Sequence, residues 1–148
     1  MSTVSKKNHS AIKTVLFLCT GNSCRSQIAE ALVNSRFPDR WMAFSAGTKP
    51  SGFVHPLTAA VLEEIGITHD GWSKNVTHYS GIDFDLIVTV CNSAADDCPV
   101  WLLSGTQFHI AFDDPALFVG DEDFMLSKFR QVRDEISIKI PGLLARYE

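Results

Sequence analysis

The sequence predicts one α/β domain, a parallel sheet with helices on both faces. Three observations carry that reading. Strand-like and helix-like segments alternate along nearly the whole chain, the pattern of a parallel sheet. Val15-Leu16-Phe17-Leu18 and Leu86-Ile87-Val88-Thr89-Val90 are near-continuous apolar runs, as expected of strands buried on both faces. The 148 residues hold no internal repeat, low-complexity tract or linker, enough for one core and short for two.

The elements follow in order. Met1 to Lys13 are polar and aperiodic and read as a flexible leader, leaving residues 14–148 as the single domain. The first strand spans Thr14 to Leu18. A helix follows, with Ile28, Ala29, Ala31, Leu32 and Ser35 as its apolar stripe, ending before Pro38. Trp41 to Ser45 reads as the second strand, closed by Gly47 and a turn-rich Thr48 to Gly52. Pro56 suits a first helical turn, and Leu57, Ala60, Val61, Glu64 and Ile65 fit the helical period up to Gly66. The third strand is Leu86 to Val90, ending on Cys91. The fourth is expected near Phe108 to Ala111, ending on Phe112-Asp113-Asp114-Pro115. The last helix runs from about Glu122 to Tyr147, with a kink expected near Pro141.

Composition removes several classes. Hydrophobic content of 45% and charged content of 20% exclude disordered and collagen-like chains. A net charge of −4 and a pI near 5.7 argue against a nucleic-acid partner. No apolar run approaches the roughly 20 residues that span a bilayer, and none forms a signal-peptide core. A cytoplasmic chain with no membrane partner is therefore expected. Thiols stay reduced in that compartment, so Cys19, Cys24, Cys91 and Cys98 are not a structural disulfide framework by default.

Cys19-Thr20-Gly21-Asn22-Ser23-Cys24-Arg25-Ser26 lies between a buried strand and a helix N-terminus. The residues between Cys19 and Arg25 can curl so that their backbone N–H groups cradle a tetrahedral oxyanion. Gly21 is expected to permit the tight backbone, and Arg25 to grip two oxygens with its planar fork. The positive helix end favours a Cys19 thiolate, with a pKa lowered from about 8.5 into the range of roughly 3.5–7.5. A thiolate beneath a bound oxyanion is an in-line nucleophile. Thr20, Gly21, Asn22, Ser23, Cys24, Arg25 and Ser26 are thus the expected oxyanion-binding residues. Nucleotide-binding glycine patterns are absent. The histidines His9, His55, His69, His78 and His109 have no metal-ligand spacing and read as ordinary, with no metal expected. Trp41, Trp72 and Trp101 read as core.

The segment Val15 to Glu30 resembles the start of the low-molecular-weight tyrosine phosphatases and their arsenate-reductase branch. The resemblance continues through Ser45-Ala46-Gly47, Asp85 to Cys91, Asp113-Asp114-Pro115-Ala116 and Phe129 to Ile136. It implies a four-stranded parallel sheet of order 2-1-3-4 with the loop at its switch point. The cysteines point to the reductase branch. There Cys91 emerges beside Cys19, and Cys98 follows the small, polar insert Asn92 to Asp97. The implied chemistry is a Cys19 thiol–arsenate adduct, attack by Cys91 that releases arsenite, and transfer of the disulfide to Cys91–Cys98. The resemblance further implies thioredoxin as electron donor, with glutaredoxin as alternative, and phosphate or sulfate as competing oxyanions. No tightly bound cofactor and a monomeric state are expected.

The same resemblance makes Asp114 the general acid, with Asp113 its nearer competitor, and has Ser26 and Asn22 support the thiolate and the loop. Cys24 stands outside the relay. Tyrosine-specific relatives carry an aromatic pair after the Asp-Pro, where this chain has Ala116 and Leu117. Some reductases bind potassium through residues matching Asn22 and Glu30, and Lys74 is a candidate to put its ammonium there instead. Two further readings stay open: a phosphomonoester phosphatase, and a non-catalytic oxyanion-binding or redox-sensing module.

Overall fold

Residues 12–91 and 104–148 are described by the structure, a computed structural model. The strands are β1 (Lys13–Cys19), β2 (Trp41–Gly47), β3 (Asp83–Thr89) and β4 (Ser104–His109), and the helices α1 (Arg25–Arg36), α2 (Pro56–Glu63) and α3 (Glu122–Ala145). Short 3₁₀ turns occupy Val76–Tyr79 and Pro115–Leu117. All strand pairs are parallel and the order is β2-β1-β3-β4. That is the fold class expected from the sequence. The chain leaves β1 toward β2 on one side and returns to β3 on the other, so the loop after β1 sits where the order reverses.

Strand alternation divides the core. Val15 and Phe17 join Leu86, Val88 and Val90 beneath α1 and α3. Leu16 and Leu18 point the other way, joining Ala46, Ile87 and Phe84 under Val76 and Tyr79 of the 3₁₀ turn. Among the described residues no helix is long and apolar enough to cross a membrane.

Several expected boundaries shift. Lys13, assigned to the leader, already belongs to β1: its amide donates to the Arg40 carbonyl at 3.0 Å and it pairs with Trp41. β3 begins earlier than expected because Asp85 is fastened to β1, its carboxylate accepting from the Thr14 amide at 2.8 Å. β4 starts at Ser104 and ends at His109 rather than spanning Phe108 to Ala111. It pairs on one side only, so no two-sided apolar run announces it. Ser35 is exposed and Val33 takes the core position, because α1 is buried over a wider arc than one stripe. In α2 the buried positions are Thr58, Val61 and Leu62. The last helix, capped by Asp121 onto the Phe124 amide at 2.8 Å, continues through Pro141 to Ala145. Trp41 is core, with its indole N–H on Glu148 at 3.0 Å, but Trp72 is 55% exposed. Cys98 and Trp101 lie outside the described residues.

Glu64, just past α2, ties that helix to α3. It accepts from Arg130 Nη2 at 2.6 Å and from Arg133 Nη1 at 2.7 Å. Hydrogen bonding from Arg130 leads the effects that hold its carboxyl near a pKa of about 2, below the ordinary value of 4.5. A depressed carboxylate stabilises the fold above its unfolded pKa, and that contribution is lost as pH falls through the folded one. Glu64→Gln should therefore be less stable than the parent protein at pH 6, with the gap closing between pH 4.5 and about 2. Chemical denaturation across that range checks it; a gap independent of pH would remove the clamp.

Candidate active site

The C-terminal ends of the parallel strands share one edge, which brings Cys19, Cys91 and the segment Phe112–Asp114 together. The loop after β1 curls there into the N-terminus of α1, with no side-chain cap on the helix. A cavity of about 170 Å³ opens over it, lined by Cys19, Gly21, Ser23, Cys24 and Arg25 from the loop. Ser51, Phe53, His55, Asp114 and Ala116 supply the remaining wall.

Cys19 is buried at the floor. Ser26 Oγ lies 2.8 Å from its sulfur, and the Asn22 amide donates to that sulfur at 3.2 Å. Because Asn22 Nδ2 donates to Ser26 Oγ at 2.8 Å, the serine hydrogen is free to point at Cys19. The electrostatics differ from the lowered pKa that the helix end alone suggests. Burial pushes the Cys19 thiol up; the Arg25 charge, the Ser26 hydroxyl and the amides of Ser26 and Asn22 pull it back. Those donors are therefore what makes a buried thiolate attainable.

Gly21, expected to permit the tight backbone, does not take the left-handed conformation that the turn uses. Asn22 does, at φ 50°, its cost offset by a fully bonded side chain. Asn22 Oδ1 accepts from the Lys74 amide at 2.9 Å and from Gln27 Nε2 at 3.1 Å. Asn22 and Ser26 are fully buried and absent from the cavity wall, so they hold the loop from behind. The glycine that the loop does require is Gly47, across the sheet in β2. A Cβ there would stand 2.5 Å from the Thr20 carbonyl oxygen and 3.0 Å from the Asn22 nitrogen.

Arg25 is buried, with Nη1 donating to the Phe112 carbonyl at 3.2 Å and Nη2 3.6 Å from Asp114 Oδ2. Asp114 is half-buried in the cavity wall, whereas its neighbour Asp113 is exposed and outside it. Asp114 also accepts from the Ala116 amide at 3.0 Å, so the turn-forming and site-facing roles coexist in one carboxylate. Cys24 lines the same cavity, but burial, followed by the nearby Asp114 charge, pushes its thiol up to about 12. Cys91 is buried, its sulfur 3.9 Å from both Thr20 Oγ1 and the Leu18 carbonyl.

Two histidines read as ordinary are part of these surroundings. His55 lines the cavity, caps α2 through Nδ1 on the Leu57 amide at 3.1 Å, and packs on Phe129 with ring centres 4.7 Å apart. His69 contacts Gln27 at 2.7 Å. No spacing in the sequence marks either one. Lys74, singled out in the sequence, is buried with Nζ 2.9 Å from the Trp72 carbonyl and 3.5 Å from both Asn22 Oδ1 and Ser45 Oγ. Ser45 in turn donates to Glu30.

Residues 14–148 match the family described as low molecular weight phosphotyrosine protein phosphatase. The chain belongs to that family. Among its relatives, an arsenate reductase of Bacillus licheniformis is 39% identical over 133 residues, covering 86% of this chain and 92% of the relative. A solved arsenate reductase in a phosphate-binding state has a TM-score of 0.70 at 27% identity, covering 93% of this chain and all of that one. A thioredoxin-dependent arsenate reductase of Corynebacterium glutamicum has a TM-score of 0.65 at 25% identity, covering 99% of this chain and 67% of that one. The family match spans both strand ends and the loop that build the cavity.

Gly47→Ala tests the closeness of loop and sheet. The added methyl must displace backbone, at about 1–3 kcal/mol for overpacking. Inorganic phosphate binding, measured by calorimetry, should weaken roughly tenfold or more. Unchanged affinity would show that the loop does not depend on this contact.

Proposed function

We propose that this chain reduces arsenate to arsenite in arsenic detoxification, working through Cys19, Cys91 and Cys98. The observation that carries the reading is Cys91, a buried thiol two residues past β3 whose sulfur lies 3.9 Å from Thr20 Oγ1 of the loop. A hydrolase needs only Cys19, Arg25 and Asp114. A thiol beside the residues that flank Cys19 offers its adduct a second exit. The names of relatives 37–40% identical to this chain support the same activity.

In this reaction the Cys19 thiolate attacks arsenic held by Arg25 and the loop amides. A sulfur–arsenic bond forms, an arsenic–oxygen bond breaks, and Asp114 gives the departing oxygen its proton. The Cys91 thiolate then attacks the Cys19 sulfur. A disulfide forms, and the electron pair of the broken sulfur–arsenic bond stays on arsenic, taking it from As(V) to As(III). Cys98 attacks Cys91, freeing Cys19 as a thiolate and leaving a Cys91–Cys98 disulfide. A thioredoxin dithiol reduces that disulfide, in line with the thioredoxin-dependent neighbour; a glutaredoxin system is the alternative donor. Phosphate and sulfate compete for the cradle because they share its tetrahedral shape and charge.

Phosphomonoester hydrolysis is the second reading, favoured by the exposed aromatic ring of Phe53 in the cavity wall. It uses the same nucleophile, cradle and acid, and fits as a side activity.

Cys98→Ser separates these readings. Cys19 and Cys91 still act in that variant, so arsenite should form once per molecule, and the enzyme should stall as a Cys19–Cys91 disulfide. Hydrolysis of an aryl phosphate by the reduced variant should persist. Cys91→Ser should release essentially no arsenite. Single-turnover arsenite assays with peptide mapping decide it, and sustained thioredoxin-driven turnover by Cys98→Ser would sink the three-cysteine relay.

The potassium found in some reductases does not fit here. An ammonium already fills the space between Asn22, Ser45 and the Trp72 carbonyl, with Glu30 nearby as counter-charge. Burial pulls the Lys74 pKa down, while Glu30 and Cys19 draw it back up. Arsenate turnover should accordingly be the same in sodium and potassium salts of equal ionic strength. A potassium-specific drop in KM would mean that Lys74 does not substitute for the ion.

A further inference from the structure

Behind the oxyanion loop lies a polar cluster that the reaction above leaves unused. Gln27 is fully buried on the first turn of α1. Its Nε2 donates to the Asn22 carbonyl at 3.1 Å, to Asn22 Oδ1 at 3.1 Å and to the Trp72 carbonyl at 3.0 Å. With the amide nitrogen committed to three oxygens, Oε1 must be the end that faces His69 Nε2 at 2.7 Å. That bond therefore runs from a protonated Nε2 of His69 to an accepting Gln27. The backbone makes room for it at Gly71. A Cβ there would stand 2.3 Å from His69 Nε2 and 2.4 Å from Gln27 Oε1.

We infer that His69 and Gln27 are positioning residues for the nucleophile, acting through the left-handed Asn22. His69 fixes which way the Gln27 amide faces. Gln27 then clamps both oxygens of Asn22, and Asn22 presents its amide to the Cys19 sulfur at 3.2 Å. The opposite tautomer of His69, with hydrogen on Nδ1, would ask Gln27 for a donor. The amide would have to turn its oxygen toward three other oxygens, which low-dielectric surroundings penalise heavily. Glu30, Asp70 and Lys74 are the charged groups facing His69, and burial favours its neutral form. The inference deepens the reading of Cys19 as nucleophile and rests on it, but it does not require arsenate.

The test follows alkylation of Cys19 by iodoacetamide across pH, resolved from Cys24, Cys91 and Cys98 by peptide mapping, in full-length protein free of oxyanions. His69→Phe keeps the ring and removes the donor. It should slow Cys19 alkylation at neutral pH about threefold to tenfold, the effect of one hydrogen bond, and move its midpoint to higher pH. His69→Gln, whose amide can donate to Gln27, should restore the parent profile. A purely structural role predicts a changed melting temperature with an unchanged alkylation profile, and that result overturns the proposal. So does His69→Gln behaving like His69→Phe. Should His69→Phe not fold, ¹⁵N spectra of the unmodified protein decide: a neutral His69 protonated on Nδ1 rules the arrangement out, whereas protonation on Nε2 is expected. Failed arsenate reduction with an intact His69 effect would sink the reductase reading alone.

Discussion

The loop between β1 and α1 is held in shape by hydrogen bonds that converge on Asn22, a buried residue at φ 50°. Its amide points at the Cys19 sulfur, its Nδ2 at Ser26, and its oxygens accept from Gln27 and Lys74. A left-handed residue other than glycine persists only where its surroundings over-determine it. Here four neighbours do so, from the loop, from α1 and from the segment before the 3₁₀ turn. Among the described residues no buried side-chain nitrogen or oxygen lacks a partner, so the network is complete rather than strained by omission.

The sheet makes that convergence possible. Parallel pairing with β1 at the centre sets Cys19 opposite Gly47 on one side and Leu18 opposite Thr89 on the other. Gly47 lets the loop backbone approach β2, and its amide donates to the Lys74 carbonyl at 2.9 Å. α2 holds the far wall: Ser23 accepts from the His55 amide at 3.2 Å and from Thr58 Oγ1 at 2.8 Å. The Glu64 clamp onto α3 thereby acts at a distance on the cavity, by keeping α2 seated.

Features carried by consecutive residues were legible in the sequence. The strand–loop–helix from Val15 to Glu30, the run ending on Cys91 and the Asp114-Pro115 turn all announce themselves through apolar runs, spacing or turn chemistry. What escaped depends on contacts distant in sequence. Glycine is the sensible guess for a tight turn, so Gly21 drew the role that Asn22 fills, because only folding brings Gln27 and Lys74 to the asparagine. His55 and His69 have no local pattern; their partners are a helix start and a glutamine on another element. Trp72 is apolar by type yet exposed, since its backbone carbonyl, accepting from Gln27 and Lys74, is the part buried for use. β4 is an edge strand, and one-sided pairing leaves too little apolar signature to fix its ends.

Two cysteines, Cys19 and Cys24, face the same cavity from the same loop, and burial raises the thiol of both. What separates them is the sign of the charge each one meets. Arg25 stands by Cys19 and favours its thiolate; Asp114 stands by Cys24 and opposes it. Cys19 also receives Ser26 and the Asn22 amide. The Arg25–Asp114 pair thus sets the two thiols apart, since one member favours the Cys19 thiolate and the other opposes that of Cys24. Such a pair cannot be altered for binding alone. Removing the Asp114 charge would relieve only the second of the two main effects on Cys24, because burial leads and would still hold that thiol up.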